Sequence, residues 1–306
     1  MRIILLLFVS FSVHARELIV YTSSIINPPG QAPNTDIYFM DLATKKSQRL
    51  TSFKGLDHSP TLHPAGDLVA YITDEWAGQH GEDQLAMRSL TSNLSVRLDV
   101  GQHMIVRTPK FSADGKYLYF SMAPVPSEDT WDATYRIYRY ELLSKELTDV
   151  SPLETGNFFD VSPSPDGTRL AYRRASGDGQ HVRVMELQTR ESKVLNPERP
   201  ENLPEERPAW RGDQEVTVVT SYGEHEPLQR SLFTVPLSSR PAQQILQSPL
   251  IYDHHGACWF NQDRGVISGM EVESGSLQLF LVEKDELIKI SSMDFWWSGE
   301  VDCRSL

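Results

Sequence analysis

Short segments of alternating apolar and polar residues recur along the chain, separated by turns rich in glycine, aspartate, proline and serine. One phrase with this pattern occurs three times, at residues 58–71, 108–120 and 160–172. Each copy has a polar turn followed by an apolar run, as in SPSPDGTRLAY at 162–172. Alternation with a period of two, bounded by turn residues, predicts β-strands. Each copy is therefore predicted to form a β-hairpin.

A second recurring segment follows each hairpin and predicts a further strand. Six such segments occur, at residues 36–42, 84–90, 136–142, 181–187, 231–237 and 278–282, and weaker copies of the first phrase occur at 207–213 and 256–268. Equivalent positions in successive units are Pro60, Pro109, Val161, Pro208 and Ala257, an interval of roughly 50 residues. Units of this length with four short strands predict the blades of a β-propeller.

The two chain ends supply the missing blade. Residues 17–23 resemble the second strand of a unit that lacks its first, and residues 299–305 resemble a first strand without a second. Pairing them closes the ring and removes free sheet edges. The predicted fold class is all-β: a six-bladed β-propeller of four-stranded antiparallel blades, closed by pairing of the N-terminal and C-terminal strands in one blade.

The start of the chain predicts export. Residues 1–15 combine Arg2, an apolar run and a Val-His-Ala cleavage pattern, as a signal peptide does, and residues 16–306 form the predicted propeller. No second apolar stretch is long enough to span a bilayer. We therefore expect a protein secreted across the inner membrane, with the periplasm as its location. A closed ring also makes a monomer the expected state.

The net charge of −12 disfavours nucleic acid as a partner, because phosphate binding requires a basic face. Cys258 and Cys303 are the two cysteines of the chain, and both fall in first strands of neighbouring units. They can form a disulfide across the closure if their Cα atoms come within about 7 Å. The alternative is a pair of buried free thiols.

One face of the predicted propeller carries the long loops, where binding residues concentrate. Trp76, Trp131 and Trp297 lie in these loops and are candidate anchors for a ligand, although such rings can also cap the blade core. Residues just before the innermost strands should surround the channel mouth on this face. The residues expected there are Asp57, His58, Arg107, Asp160, Glu206, Arg207, residues 253–255 and Glu300. The binding candidates among them are Asp57, His58, Arg107, Asp160, Arg207 and His255. Their charges can alternatively do no more than pair with one another.

No motif in the sequence identifies catalysis. There is no Gly-x-Ser-x-Gly turn, phosphate-binding glycine loop or zinc-binding pattern, so we predict neither catalytic residues nor a cofactor. A divalent metal held by His58, by one of His254 and His255, and by Asp57 is conceivable, but no ligand spacing supports it.

The phrase at 162–172 and the Ile-Tyr tails at 36–42 and 136–142 resemble the propeller repeat of the TolB family. The likeness covers residues 16–306, without the α/β domain that precedes the propeller in TolB. The resemblance implies the propeller fold and is much less specific for an activity. Similar repeats occur beside the hydrolase domain of prolyl oligopeptidase relatives. They also occur in oligogalacturonate lyases, where histidines hold a metal; the Asp-His-His-Gly segment at 253–256 is the local feature that allows this comparison.

Two functions are compatible with these features. The predicted one is an exported, non-catalytic propeller scaffold that binds a protein or peptide, such as a cell-envelope component, through its loop-rich face and channel mouth. The alternative is a polysaccharide-active enzyme, a lyase or hydrolase, that uses the channel-mouth histidines and a divalent metal.

Overall fold

The computed structural model describes residues 15–24, 34–76, 83–126, 133–177, 179–197, 205–222, 229–238, 240–245, 250–284, 286–291 and 300–306. All of the regular structure within these ranges is β-strand, and the strands form six four-stranded antiparallel sheets. Nowhere in the described ranges is there a helix with the length and apolar character needed to span a membrane. The predicted all-β, six-bladed propeller is confirmed.

The first three blades contain the strands that follow. Blade one consists of Val301–Ser305 (β24), Glu17–Ser24 (β1), Thr35–Asp41 (β2) and Lys46–Arg49 (β3). Blade two consists of Asp57–Leu62 (β4), Leu68–Thr73 (β5), Gln84–Ser89 (β6) and Ser95–Arg97 (β7). Blade three consists of Met104–Phe111 (β8), Tyr117–Pro124 (β9), Arg136–Glu141 (β10) and Leu147–Asp149 (β11).

The remaining blades follow the same order from the innermost to the outermost strand. Blade four consists of Asn157–Pro163 (β12), Arg169–Ser176 (β13), Gly179–Glu186 (β14) and Ser192–Val194 (β15). Blade five consists of Glu205–Trp210 (β16), Glu215–Tyr222 (β17), Gln229–Pro236 (β18) and Gln243–Gln244 (β19). Blade six consists of Ile251–Trp259 (β20), Arg264–Glu271 (β21), Leu277–Glu283 (β22) and Glu286–Lys289 (β23).

The hairpins between first and second strands have the geometry that their sequences predict. Gly66, Gly115 and Gly167 all adopt φ +71°, a left-handed conformation in which an L side chain is strained. In the third copy, Asp166 accepts hydrogen bonds from the Ser164 hydroxyl (2.6 Å) and the Thr168 amide (2.9 Å). The Ser-Pro-Asp-Gly phrase is therefore a turn-forming element of the blades.

The hydrophobic core lies between neighbouring blades, where each sheet covers the face of the next. Leu18 and Val20 of blade one, for example, belong to one buried cluster with Leu62, Val69 and Tyr71 of blade two. A four-stranded sheet has two apolar faces, so stacking in a closed ring is what buries both.

The chain ends pair as predicted. β1 runs antiparallel to β24, with Ile19 opposite Cys303 and Tyr21 opposite Val301. The Cα atoms of Cys258, on β20, and Cys303 lie 5.8 Å apart, and the two residues form a disulfide between blades six and one. We refer to the β1–β24 pairing and this disulfide as the closure seam.

Candidate functional site

The innermost strands of the six blades surround a central channel containing a cavity of about 460 Å³. Equivalent residues of the six strands line it as rings. The uncharged ring consists of Pro60, Pro109, Val161, Pro208, Ala257 and Val301. The residues just before these form a ring at the end where the innermost strands begin, which we call the mouth: Ser59, Thr108, Asp160, Arg207, Gly256 and Glu300. The cavity volume is within the range of ligand sites.

Backbone bulges place four members of the mouth ring. The pairing register between first and second strands shifts at this position in blades two to five. The residues at the shift, Ser59, Thr108, Asp160 and Arg207, adopt φ values of 52°, 46°, 51° and 53°. Such values are unfavourable for non-glycine residues, and most of all for a β-branched one such as Thr108. Backbone strain of this kind is concentrated at functional sites in proteins.

A connected set of ion pairs covers one side of the mouth. Arg230, on β18, binds both carboxylate oxygens of Asp253, each at 2.9 Å. Its other contacts are Glu206 at 3.7 Å and the His255 imidazole at 2.8 Å. Burial opposes ionisation of Asp253, but hydrogen bonds from His255 and Arg230 outweigh it and lower the pKa of this carboxyl. The hydrogen bond to Asp253 in turn raises the pKa of Arg230, so this pair stays ionised at neutral pH.

Arg173, on β13, continues the set toward blade four. Its guanidinium lies 2.8 Å from Asp160, 4.0 Å from Glu206 and 4.9 Å from the centre of the Phe159 ring. Asp160 also accepts a hydrogen bond from the Arg207 amide at 3.4 Å. The side chains of blades four to six are therefore held in one network.

Glu300, just before β24, forms a smaller cluster with blade two. Its carboxylate accepts hydrogen bonds from the Ser59 amide (2.5 Å) and hydroxyl (2.8 Å), and His58 Nδ1 lies 3.8 Å away. Burial acts to raise the pKa of Glu300, but the charges of His58 and Arg207 and the Ser59 hydrogen bonds outweigh it and lower the pKa.

Deeper in the channel, a second cluster surrounds Asp302 of β24. Its carboxylate accepts hydrogen bonds from Thr61 Oγ1 (3.0 Å), the Leu62 amide (2.9 Å) and Lys110 Nζ (3.1 Å), and Arg304 lies 3.7 Å away. Burial opposes ionisation, but the charges of Arg304 and Lys110 outweigh it and lower the pKa of Asp302. A charged side chain thus holds the last strand of the chain against blades two and three.

Solved structures with this architecture include TolB from Acinetobacter baumannii, with a TM-score of 0.72 at 14% identity over 94% of this chain and 66% of that chain. A protein of Agrobacterium tumefaciens assigned as TolB gives a TM-score of 0.65 at 13% identity, over 95% of this chain and 97% of that chain. The chain has the fold of a TolB-like β-propeller. At these identities the likeness establishes the fold alone.

Other solved propellers are similar to this TolB-like propeller at lower TM-scores. An oligogalacturonate lyase in complex with manganese gives a TM-score of 0.56 at 15% identity, over 84% of this chain and 70% of that chain. No family model matches the sequence. No curated protein sequence is similar to it.

Three of the predicted binding residues line the cavity of the TolB-like propeller: Asp160, Arg207 and His255. His58 contacts two other members of the mouth ring, with its Nδ1 atom 2.9 Å from the Ser59 hydroxyl and 3.8 Å from Glu300. Arg107 forms an ion pair with Asp83 and leaves 40% of its side chain exposed. The structure therefore places four of the six binding candidates at the mouth.

Asp57 lies away from the channel, because alternation along β4 sends it to the side opposite His58. It is 1% exposed and is paired with Thr73 across the sheet. Burial raises its pKa to about 6, although hydrogen bonds from Thr73 and Thr51 act in the other direction.

The predicted aromatic anchors have different outcomes. Trp76 is partly buried and packs against the cluster between blades one and two, as a core-capping ring does. Trp131 and Trp297 lie outside the described residues.

The histidines considered as metal ligands do not converge. His254 is buried, its Nδ1 is 3.1 Å from the Arg230 carbonyl oxygen, and burial lowers its pKa. His255 contacts Asp253 and Arg230 instead, and His58 is near Glu300. Within the described ranges, no three His, Cys, Asp or Glu side chains form a group that fits a metal ion.

Arg173, Arg230, Lys110 and Asp302 were missed by sequence reasoning, which considered positions before the first strands. Arg173 and Arg230 come from second and third strands, and Lys110 and Asp302 lie within first strands, each directly after a member of the uncharged ring. One signal was available: Lys110 and Asp302 are charged residues at the otherwise uncharged position that Thr61, Ser162, Ala209 and Cys258 occupy in the other blades.

Proposed function

We propose that this chain is an exported, non-catalytic propeller scaffold that binds a protein or peptide through its channel mouth and the surrounding loop-rich face. The observation that carries the proposal is the mouth itself, where charges of both signs border a cavity of about 460 Å³. The bordering side chains are already fixed by ion pairs, so binding would cost little side-chain entropy. Fixed charges of both signs suit a polypeptide, which also carries both.

The electrostatics of the mouth disfavour Asp253 and Glu300 as general acids. Their pKa values are lowered by their partners, so both are carboxylates at neutral pH and lack a proton to donate. Trp131 and Trp297 remain proposed ligand contacts on the same face. Trp76 is also a proposed ligand contact, through the part of its ring that is not packed against the blade core.

Export is supported by two features of the chain. The signal-like segment at 1–15 precedes the first strand, and the disulfide between Cys258 and Cys303 requires an oxidising compartment to persist. A cell-envelope component in the periplasm is therefore the proposed kind of partner.

The proposal is tested by peptide selection on the purified protein. A displayed peptide library should yield binders whose affinity falls at least tenfold in Arg207→Glu, because this variant reverses one charge at the mouth. Lys193→Glu is the matched control, since Lys193 lies exposed on the outermost strand of blade four, and it should bind as the original protein does.

Two results would contradict the proposal. One is a selection whose binders are insensitive to Arg207→Glu. The other is stoichiometric bound metal that disappears in His58→Ala and His255→Ala, which would favour the polysaccharide-active enzyme.

A further inference from the structure

The sign of the charge changes along the channel. At the mouth, three carboxylates line the cavity, those of Asp160, Glu206 and Glu300, against the two guanidinium groups of Arg173 and Arg207. In the interior, the cations Lys110 and Arg304 line the cavity against one carboxylate, Asp302. Among the described Asp, Glu, Lys and Arg side chains that line the cavity, carboxylates therefore exceed cations by one at the mouth, and cations exceed carboxylates by one in the interior.

Asp302 does not neutralise both interior cations. Three hydrogen-bond donors, from Thr61, Leu62 and Lys110, already occupy its two oxygens. An ammonium group has three donors, and among the described residues Lys110 Nζ has Asp302 as its acceptor. The Lys110 side chain is 25% exposed and lines the cavity, so its ammonium group is accessible to a ligand. The interior thus offers an anion positive charge and the donors of Lys110.

The uncharged ring of Pro60, Pro109, Val161, Pro208, Ala257 and Val301 separates the two charged zones. The mouth ring and the level of Lys110 are two residues apart along an inner strand, which corresponds to about 7 Å. A ligand that satisfies both zones therefore has an anion at its end, a slim and weakly polar part next to it, and a cation about 7 Å away.

We propose that the channel binds the C-terminal end of a polypeptide, with the terminal α-carboxylate at Lys110 and a Lys or Arg side chain two or three residues earlier at the mouth carboxylates. This assignment rests on the proposed peptide-binding function and specifies its ligand. An extended peptide also advances about 7 Å in two residues, so its spacing matches that of the channel.

A peptide fits better than an acidic sugar. The ring between the charged zones consists of proline, valine and alanine side chains, which offer no hydrogen bonds to hydroxyl groups. Trp210 also lines the cavity, but it is already engaged within the protein. Its indole N–H donates to the Ser162 carbonyl oxygen (2.8 Å), and the guanidinium of Arg169 lies over its ring at 5.0 Å from the ring centre, so neither the N–H nor that ring face is free for a sugar.

The test uses fluorescein-labelled octapeptide pools, randomised at four C-terminal positions and made with either a free carboxylate or an amide at the end. Fluorescence anisotropy with the disulfide-intact protein should show the carboxylate pool binding at least tenfold more tightly, as loss of a charge-assisted hydrogen bond predicts. Lys110→Met should abolish this difference, and Lys110→Arg should keep most of it. Lys193→Met is the matched control and should leave the difference unchanged.

A second pair of carboxylate pools carries Lys or Glu at the third position from the end, and the Lys pool should bind more tightly. Equal binding of carboxylate and amide pools would overturn the inference while leaving peptide binding intact. Failure of every pool to bind would overturn the proposed function as well. Displacement of the peptides by oligogalacturonate at similar concentration would instead assign the interior cations to an acidic sugar.

Discussion

The closure seam and the channel mouth both use residues 300–305, but different interactions hold them. At the seam, β24 contributes a ladder of backbone hydrogen bonds to β1 and a covalent bond from Cys303 to Cys258. At the mouth, Glu300 contributes side-chain contacts to Ser59 and His58. Backbone pairing and a disulfide admit no alternative partners, whereas ion pairs can exchange partners when a charged ligand arrives. We therefore expect seam variants to have larger effects on stability than mouth variants, and we expect mouth variants to be the ones that also affect binding.

Removal of residues 301–306 should have the largest effect. Blade one would lose its innermost strand, and β1 would become an open edge facing the channel. We expect the loss of cooperative unfolding, because the net stability of a domain is only about 5–15 kcal/mol. Thermal melts followed by circular dichroism, with size-exclusion chromatography, measure this. Leu306→Gly is the control and should melt like the original protein; a truncated chain that melts normally would disprove the importance of the seam.

Cys258→Ser, Cys303→Ser and the double variant Cys258→Ser/Cys303→Ser should each lower the free energy of unfolding by about 2–4 kcal/mol. Each removes the disulfide, which links residues 45 positions apart in the sequence and so restricts the unfolded chain. Urea denaturation gives the value, and thiol titration of the unreduced protein should find no free cysteine. A reducing agent should destabilise the original protein by the same amount and leave the double variant unchanged. Equal stability with and without reductant would show that the disulfide contributes nothing.

Asp57 should make stability fall as the pH rises, in contrast to the mouth carboxylates. Its folded pKa of about 6 is above the ordinary value of 3.8, so the native state holds more protons between these pH values. The free energy of unfolding should therefore drop by about 2–3 kcal/mol from pH 4 to pH 7 on account of this group. Asp57→Asn should remove that drop.

The measurement is urea denaturation at pH 4, 5, 6 and 7. Glu300→Gln is the comparison, because the lowered pKa of Glu300 stabilises the protein above its ordinary pKa and this contribution is lost as the pH falls through the folded pKa. A pH dependence that is unchanged in Asp57→Asn would refute the assignment.

Arg230→Met should cost about 1–2 kcal/mol of stability, because it leaves Asp253 half-buried without its main partner. Arg107→Met is the matched control. The Arg107 side chain is 40% exposed, against 23% for Arg230, while Asp83 and Asp253 are similarly buried, so the expected cost is smaller, about 0.5–1 kcal/mol. A double-mutant cycle with Asp253→Asn isolates the interaction, and a coupling free energy near zero would contradict the network described at the mouth.

Thr108→Gly should give the smallest effect, a gain of roughly 0.5 kcal/mol. Glycine removes the strain of φ 46° but loses more conformational entropy on folding, so the two effects largely offset each other. Blade six already has Gly256 at this position. Thr108→Val, which keeps the branched side chain, should give no gain, and differential scanning calorimetry distinguishes the two variants.

The blade architecture was predictable from the sequence because a repeat is a long-range signal. One hairpin phrase, found at residues 58–71 and again at 160–172, defines the repeating unit. The segments at 17–23 and 299–305 each match only part of a unit, so they are predicted to pair and complete one blade. The mouth was predicted less completely, for two physical reasons. Alternation places Asp57 on the side opposite His58, and the bulge at Ser59 then breaks the alternation that sequence patterns rely on.

The second reason is that the site draws on several strands of each blade. Arg173 and Arg230 reach the mouth from second and third strands. From the sequence alone, a charged residue in such a strand is predicted to be a solvent-exposed residue without a specific role. Their roles follow from the pairing of Arg173 with Asp160 and of Arg230 with Asp253, which are distances in space.

The β1–β24 ladder also determines where the ends of the propeller project. Arg16 and Leu306 exchange two backbone hydrogen bonds, at the end of blade one opposite Glu300. A tether or fusion attached to either residue would extend from the back of the ring and leave the mouth unobstructed. A linker of a few residues would join the two ends, so the propeller is a candidate for circular permutation, with new termini at a hairpin of another blade.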